Sequence, residues 1–285
     1  GSSRRFYGNT ERARTILGIM LKENLEKDSR LLERRFIELS RTAYQREIIT
    51  YSDFLNLNEQ NILHTLPKDS LFSRYISFGG YALAERQMAA FIPDALSLRW
   101  GKSELSWEAT GYPFSAVKVT PRARKFAEDL SHRDYLGAVL NLGIERSRIG
   151  DILITDGEAI IFAHNDIADL ITDELSRVRH TMVVSEKLPL SQVDYTPEYE
   201  EIRGTVASVR LDTLLPLAFS SSRSRLSGLI EGAKVFVNGK LITNNGYQVH
   251  EGDIISVRGM GKFRYDGAGG KTRKNRISVI IQKYI

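Results

Sequence analysis

The amino-acid sequence predicts an α+β protein with a helical N-terminal region, a middle α/β domain and a small basic C-terminal domain. Three observations support this. Helical periodicity runs through residues 4–65, strand and helix patterns then alternate, and positive charge is concentrated towards the C-terminus. From Arg203 onward the chain has 14 Lys and Arg against 5 Asp and Glu, a net charge of +9. The preceding residues have 26 against 30, a net charge of −4, so the C-terminal domain is expected to have a polyanionic partner.

The N-terminal region, residues 1–73, is predicted to be mainly helical. The segments TERARTILGIMLKENLEKD and LLERRFIELSRTAYQRE place apolar residues at helical spacing, including Ile16, Ile19, Met20 and Leu25. TYSDFLNLN is predicted to be a turn region. A further helix is expected from about Asn58, until Pro67 breaks the pattern.

Residues 74–185 are predicted to form a ferredoxin-like (RRM-like) α/β sandwich. One predicted strand ends at Pro93. Further strand patterns occur in SAVKVTP, on both sides of an Asp156-Gly157 turn in DILITDGEAIIFA, and in HTMVVSEKL. Helical patterns occur in HRDYLGAVLNLG, which Gly143 ends, and in IADLITDELSRV. This order of elements is typical of that fold. Many unrelated domains share it, and no aromatic strand of the KGFGF type is present, so the fold alone assigns no function.

A linker is predicted at residues 186–203, which contain two prolines and the acidic segment DYTPEYEE. The C-terminal domain, residues 204–285, then begins with a helix in RLDTLLPLAF, where Pro216 predicts a kink or a late start. The serines at 220–222 predict the cap of a second helix that ends at Gly232. KVFVNGK and VHEGDIISVRG predict short strands with tight turns, and DGAGGKTRKNR predicts a flexible basic loop in a C-terminal hairpin.

The first turn of the second C-terminal helix is the main candidate binding site. Arg223 and Arg225 lie there, where free backbone N–H groups and the positive end of the helix dipole favour an anion. Taken singly, each basic side chain of the domain is expected to be an ordinary exposed charge. Taken together on a basic domain, these side chains favour RNA binding. The predicted RNA-binding residues are Arg210, Ser222, Arg223, Arg225, Lys234, Lys240, Arg258, Lys271, Arg273 and Lys274.

Three segments of this domain, RLDTLL, SSSRSRLSGLIEGAKVFVNGK and VHEGDIISVRG, resemble the S4 RNA-binding domain, a small αL module. Upstream, TYSDFLNLNEQNIL, FGGYALAERQMAAFIP and HRDYLGAVLNLGIERSRIGDILI are similar to the YlmH family of bacterial RNA-binding proteins. The resemblance implies binding of rRNA and tRNA on the large ribosomal subunit in ribosome-associated quality control. It implies that peptidyl-tRNA is held there while a tailing factor adds C-terminal alanine residues, and it implies a link to cell division. By position, Arg223 is the residue most expected to contact RNA, followed by Arg225 and Arg210.

No enzyme activity is expected, because no acid, base and pocket are brought together by a known motif. RLD at residues 210–212 also resembles the catalytic-Asp motif of pseudouridine synthases. An RNA-modifying enzyme that uses the S4 domain to deliver substrate is therefore the alternative function. A third interpretation is a protein-interaction platform, for instance in cell division, with RNA binding secondary.

No cofactor, metal or membrane partner is expected either. GAGGKT at residues 267–272 lacks one glycine of a phosphate-binding loop, because Tyr265 occupies that position. The chain has no cysteine, and its five histidines show no paired spacing, so a metal site is not predicted. The lack of cysteine suits a cytoplasmic protein, and no apolar run is long enough to span a membrane.

Overall fold

The computed structural model describes residues 3–99 and 110–285. The chain forms two compact units. The first takes in residues 1–53, 62–77 and 88–112, and the second takes in residues 54–61, 78–87 and 113–285. Helices and sheets are both present, which confirms the predicted α+β class.

The N-terminal elements are helical, as predicted, but include a small sheet. They are α1 (Ser3–Arg46), β1 (Thr50–Leu55), α2 (Leu57–Thr65), β2 (Arg74–Phe78), β3 (Gln87–Ile92) and α3 (Asp94–Arg99). The strands form a sheet in the order β1-β3-β2. The prediction of a turn region in TYSDFLNLN was wrong, because this segment contains β1. The buried Ser52 fixes the strand, because its hydroxyl accepts the backbone N–H of Ala89 at 2.9 Å.

Helix α1 is continuous over 44 residues, and its two ends differ in burial. Near its C-terminal end, Phe36 is fully buried, and its ring centroid lies 6.3 Å from that of Phe91 in β3. In its first half, the four apolar side chains that the periodicity singled out, Ile16, Ile19, Met20 and Leu25, are 54–67% exposed. The periodicity therefore predicted the helix, while the described residues leave this face open to solvent.

The middle domain has the predicted ferredoxin-like topology. Its elements are β4 (Phe114–Pro121), α4 (His132–Leu140), β5 (Ile149–Thr155), β6 (Glu158–His164), α5 (Asn165–Glu174), β7 (Arg177–Val178) and β8 (Thr181–Leu188). The sheet order is β5-β6-β4-β8-β7, with antiparallel pairing. Apart from the two-residue β7, this is the β-α-β-β-α-β arrangement of that fold. Asp156 and Gly157 have φ values of +51° and +75°, which confirms the predicted tight turn.

The two faces of the middle sheet are covered by different parts of the chain. Helices α4 and α5 pack on one face, around the buried Val117, Val119 and Ile161. On the other face, the ring of Tyr81 stacks on that of Phe162, with centroids 5.6 Å apart. Gly80 permits this approach, because its φ is +104° and an added Cβ would lie 2.3 Å from the Phe162 ring.

Replacing Gly80 with alanine is expected to lower the free energy of unfolding by about 3 kcal/mol, because left-handed backbone strain adds to overlap with a buried ring. Denaturant titration measures the change. Gly137→Ala is the matched control, since an added Cβ in the middle of α4 meets nothing within 4 Å. The control is expected to gain about 0.5–1 kcal/mol from helix propensity. Equal midpoints for the Gly80→Ala variant and the wild type would contradict the packing of Gly80 on Phe162.

The C-terminal domain contains two short helices and a six-stranded sheet. Its elements are β9 (Tyr199–Val206), α6 (Leu211–Phe219), α7 (Arg223–Glu231), β10 (Val235–Val237), β11 (Lys240–Leu241), β12 (Ile254–Val257), β13 (Gly261–Lys271) and β14 (Ile277–Tyr284). The sheet order is β11-β10-β12-β13-β14-β9. Leu214, Leu226 and Phe263 are at most 1% exposed and belong to one core between the helices and the sheet. The two predicted helices and the Asn-Gly hairpin are confirmed.

The late start of the first helix, one of the two alternatives predicted from Pro216, was wrong, and so was the predicted flexible loop. Helix α6 begins at Leu211 and includes Pro216, so it does not start late. The buried apolar face of α6 outweighs the poor helix propensity of proline. The segment DGAGGKTRKNR is mostly strand, because β13 extends to Lys271 and only residues 272–276 form a turn. The glycines permit a loop, but pairing with β14 holds them in the sheet.

The domain boundaries stay predictions. Strand β8 ends at Leu188 and β9 begins at Tyr199, so the predicted linker, 186–203, takes in strand residues at both ends. Strands β2 and β3, which the sequence analysis assigned to the middle domain, lie in the N-terminal sheet, where β3 pairs with both β1 and β2.

Candidate nucleic-acid interface

Ser222, Arg223 and Arg225 form the helix site at the N-terminal end of α7. Ser222 is the predicted N-cap, because its hydroxyl accepts the backbone N–H of Arg225 at 3.3 Å. Ser220 has a left-handed φ of +47° and turns the chain from α6 towards this cap. Across the described chain, the backbone N–H groups of Arg223 and Ser224 donate no hydrogen bond. These N–H groups are available to an anion.

The two guanidinium groups of the helix site are exposed and carry uncompensated charge. Neither Arg223 nor Arg225 forms an ion pair with any of the residues that the structure describes. Further along α7, Leu226 and Ile230 are 1% and 0% exposed, which anchors the helix in the core. A phosphate at the helix site would meet side-chain and backbone donors together.

Replacing Ser222 with alanine is expected to lower the free energy of unfolding by about 1 kcal/mol, because the N–H of Arg225 loses its acceptor. Ser222→Asp restores a capping acceptor and should keep wild-type stability, but its carboxylate repels phosphate. The aspartate variant is therefore expected to bind RNA more weakly than the more poorly capped alanine variant. Denaturant titration and fluorescence anisotropy with a labelled RNA measure the two quantities. Equal RNA affinities for the two variants would contradict a phosphate beside Ser222.

Lys234 and Arg258 lie together at the other end of α7. The backbone N–H of Arg258 donates to the carbonyl of Lys234 at 3.0 Å. The nine residues of α7 separate this pair from the helix site, a distance of about 13 Å at 1.5 Å per residue. A guanidinium N–H of Arg258 also donates to Oδ1 of Asn58 at 2.5 Å, which occupies part of its donor capacity. Lys240 is exposed in the β10–β11 hairpin, opposite Val237.

Lys271, Arg273 and Lys274 lie at the turn between β13 and β14. Phe263 marks the other end of this hairpin, and its ring lies 5.8 Å from that of Phe219, the last residue of α6. Phe263 pairs with Lys283 in β14, and Lys271 pairs with Ile277. These two partners are six residues apart, a distance of about 20 Å at ~3.3 Å per residue. The structure therefore does not bring these three residues to the helix site.

Arg210 forms an ion pair with Asp212, which belongs to the same RLD motif. Its Nη2 and Nε donate to the two carboxylate oxygens of Asp212 at 2.8 and 3.1 Å. Arg210 is therefore less available to RNA than Arg223, and both oxygens of Asp212 are occupied.

Asp151 in β5 organises a polar cluster that the sequence analysis missed. Its carboxylate accepts the hydroxyl of Tyr81 at 2.6 Å and the backbone N–H groups of Glu85 and Arg86 at 2.8 and 3.0 Å. Burial and the nearby Asp151 raise the pKa of Tyr81. This cluster attaches residues 78–87 to the middle domain.

The same segment also contacts the C-terminal domain. The ammonium group of Lys262 in β13 donates to the carbonyl of Leu83, and burial lowers the pKa of Lys262. The two residues are 179 positions apart in the chain. No local pattern signals such a contact, because only folding brings the partners together.

The described parts of the chain, residues 3–99 and 110–285, contain neither a metal-binding cluster nor a membrane-spanning helix. No cluster of three or more His, Asp and Glu side chains is arranged to hold a metal ion there. None of the helices described there is long and apolar enough to cross a membrane.

The sequence matches two family models: the putative RNA-binding domain in YlmH, over residues 112–192, and the S4 domain, over residues 209–255. The helix site lies within the S4 match. Over 262 residues the chain is 29% identical to the ribosome-associated protein quality control protein P2 of Bacillus subtilis, covering 92% of this chain and 97% of that protein. A solved structure of the cell division protein ylmH from Streptococcus pneumoniae matches with a TM-score of 0.45 and 22% identity, covering 59% of this chain and 95% of that one. Both matched domains occur in this order and the Bacillus subtilis relative aligns over nearly its whole length, so the chain is similar over most of its residues to the YlmH family of S4-domain RNA-binding proteins.

Proposed function

We propose that the protein is a non-enzymatic RNA-binding factor that acts in the cytoplasm on the large ribosomal subunit, in contact with rRNA and tRNA. In ribosome-associated quality control it holds peptidyl-tRNA while a tailing factor extends the nascent chain, and a link to cell division follows from the same family resemblance. The helix site carries this proposal, because two uncompensated guanidinium groups flank free backbone N–H groups there. The relative named for ribosome-associated quality control supports the cellular setting.

The RNA backbone suits the helix site on physical grounds. A phosphate accepts charge-assisted hydrogen bonds from guanidinium and backbone N–H groups, which are stronger than bonds between neutral groups. Each neutralised phosphate also releases counterions, so the affinity falls with salt at a logarithmic slope of about −0.7 to −0.9 per contact. Binding of this kind needs neither a nucleophile nor an acid–base pair.

An RNA-modifying enzyme is the alternative function, with Asp212 as its nucleophile. The ion pair with Arg210, which occupies both carboxylate oxygens of Asp212, favours the binding factor. Comparing modified nucleosides in RNA from cells with and without the gene separates the two functions. A modification missing only in the cells without the gene would support the enzyme.

Crosslinking followed by sequencing of the bound RNA tests the proposed function. Crosslinks are expected in large-subunit rRNA and in tRNA, and they should depend on the helix site. Crosslinks distributed over all cellular RNA in proportion to abundance would contradict a ribosomal role.

A further inference from the structure

The turn between β13 and β14 carries a second concentration of positive charge. Lys271, Arg273, Lys274 and Arg276 form this cluster, the hairpin site. From Lys271 to Ile285 the chain has five Lys and Arg and no Asp or Glu. The turn and strand β14 therefore contribute no acidic neighbour to the hairpin site.

The backbone of the hairpin site is held without the side chains of Arg273 and Lys274. The N–H of Thr272 donates to the carbonyl of Arg276 at 2.7 Å, and the N–H of Asn275 donates to the carbonyl of Thr272 at 2.9 Å. Arg273 and Lys274 are exposed and form no ion pair in the described chain. Their side chains are free to meet a ligand, and their removal should not unfold the turn.

Arg276 is fixed at the edge of a groove beside the turn. Its guanidinium donates to the carbonyl and the hydroxyl of Thr205 in β9, at 2.8 and 3.1 Å. The groove has a volume of about 400 Å³, and its lining includes Thr205, Gly269 and Ser278. Gly269 is exposed and has no side chain, which lets a backbone approach closely, and the hydroxyl groups suit phosphate or sugar oxygens.

The hairpin site is separate from the helix site. It lies about 20 Å along β14 from the hairpin end that contacts α6, a distance beyond the ~8 Å Debye length at physiological ionic strength. It also lies outside residues 209–255, the part of the chain that matches the S4 domain. The two clusters thus act as independent positive charges on one domain.

We infer that the hairpin site is a second binding site for an RNA backbone, so that the C-terminal domain contacts two RNA segments at once. The inference rests on the proposed function. The two sites lie towards opposite ends of the β13–β14 hairpin, which is about 20 Å long between Phe263 and Lys271. Two short RNA strands can therefore occupy the sites together, and one longer strand can reach both.

The salt dependence of RNA affinity tests the inference. The probe is a labelled oligouridine of about twenty nucleotides, which is long enough to reach both sites. Arg273→Ala with Lys274→Ala is expected to lower the logarithmic salt slope by about 1.4, as is Arg223→Ala with Arg225→Ala, because each pair removes two contacts. The fourfold variant should lose the sum of the two effects, because the sites are well separated. The matched control, Lys22→Ala with Lys27→Ala on the exposed first part of α1, lies outside both matched RNA-binding domains and should keep the wild-type slope.

Simultaneous binding is tested with a short immobilised oligouridine that captures the protein. A second, fluorescent oligouridine is expected to be recruited by the wild type and by neither double variant. A hairpin variant that matches the wild type in slope and recruitment would overturn the inference, while loss in the helix-site variant alone would leave the proposed function standing. Loss in the hairpin variant alone would instead overturn the assignment of the helix site, and wild-type behaviour of both variants would overturn both.

Discussion

Exchanging Arg223 and Arg225 for glutamate is expected to weaken association with large ribosomal subunits roughly a hundredfold, while the thermal midpoint stays unchanged. Each phosphate contact contributes a factor of roughly four to five at physiological salt, so losing two costs about twentyfold, and the reversed charges add repulsion. Stability is preserved because both side chains are exposed and unpaired among the described residues. Acidic residues in the first turn of a helix are also favoured by the helix dipole.

Co-sedimentation with large subunits through a sucrose cushion measures the loss of association, and differential scanning fluorimetry measures the thermal midpoint. The matched control is Lys22→Glu with Lys27→Glu, which makes the same change in net charge on exposed positions of α1, outside both matched RNA-binding domains. The control is expected to co-sediment like the wild type. Co-sedimentation of the helix-site variant at the wild-type level would refute the site, and equal loss in the control would show that only net charge matters.

Replacing Asp151 with alanine is expected to lower the free energy of unfolding of the second unit by about 3–5 kcal/mol. The carboxylate accepts three hydrogen bonds, and alanine would leave the Tyr81 hydroxyl and two backbone N–H groups without an acceptor. Such a loss corresponds to a fall in thermal midpoint of roughly 10 °C for a domain of this size.

Thermal unfolding of the Asp151→Ala variant measures the effect, with Asp169→Ala as its control. Asp169 makes an exposed ion pair with Lys187 at 2.9 Å, and such pairs contribute about 0–1 kcal/mol. Asp151→Asn keeps an acceptor oxygen and should lie between the two. If the Asp151→Ala variant lost no more stability than the Asp169→Ala variant, the role of the polar cluster would be contradicted.

Local patterns predicted the elements whose determinants are close in sequence. The Asp156-Gly157 turn, the Ser222 cap and the buried stripe of α7 each depend on residues within one or two turns of chain. Predictions failed where distant partners decide. Strand β1 and the extension of β13 to Lys271 are held by strand pairing, and α6 accommodates Pro216 because its apolar face is buried.

The candidate site shows the same division. The sequence placed Arg223 and Arg225 correctly in the first turn of a helix, because helix capping is a local property. It also grouped them with Arg210, by charge and by the family resemblance, and with Lys271 and Arg273, by charge. The fold separates these residues, because Asp212 pairs with Arg210 and the β13–β14 hairpin carries the last two away from α7.

By itself, the sequence determined the α+β class, the ferredoxin-like order of the middle domain and the positive charge of the C-terminal domain, since these three follow from periodicity, spacing and composition. The S4 module followed from its resemblance to a known family. Only the tertiary structure decided which of the positive charges stay uncompensated and where they stand. Asp212 compensates the charge of Arg210, and the guanidinium of Arg258 donates to Asn58, which lies 200 positions away in the chain. Contacts between residues far apart in the chain, such as Lys262 with Leu83, exist only after packing brings them together, so no local pattern encodes them.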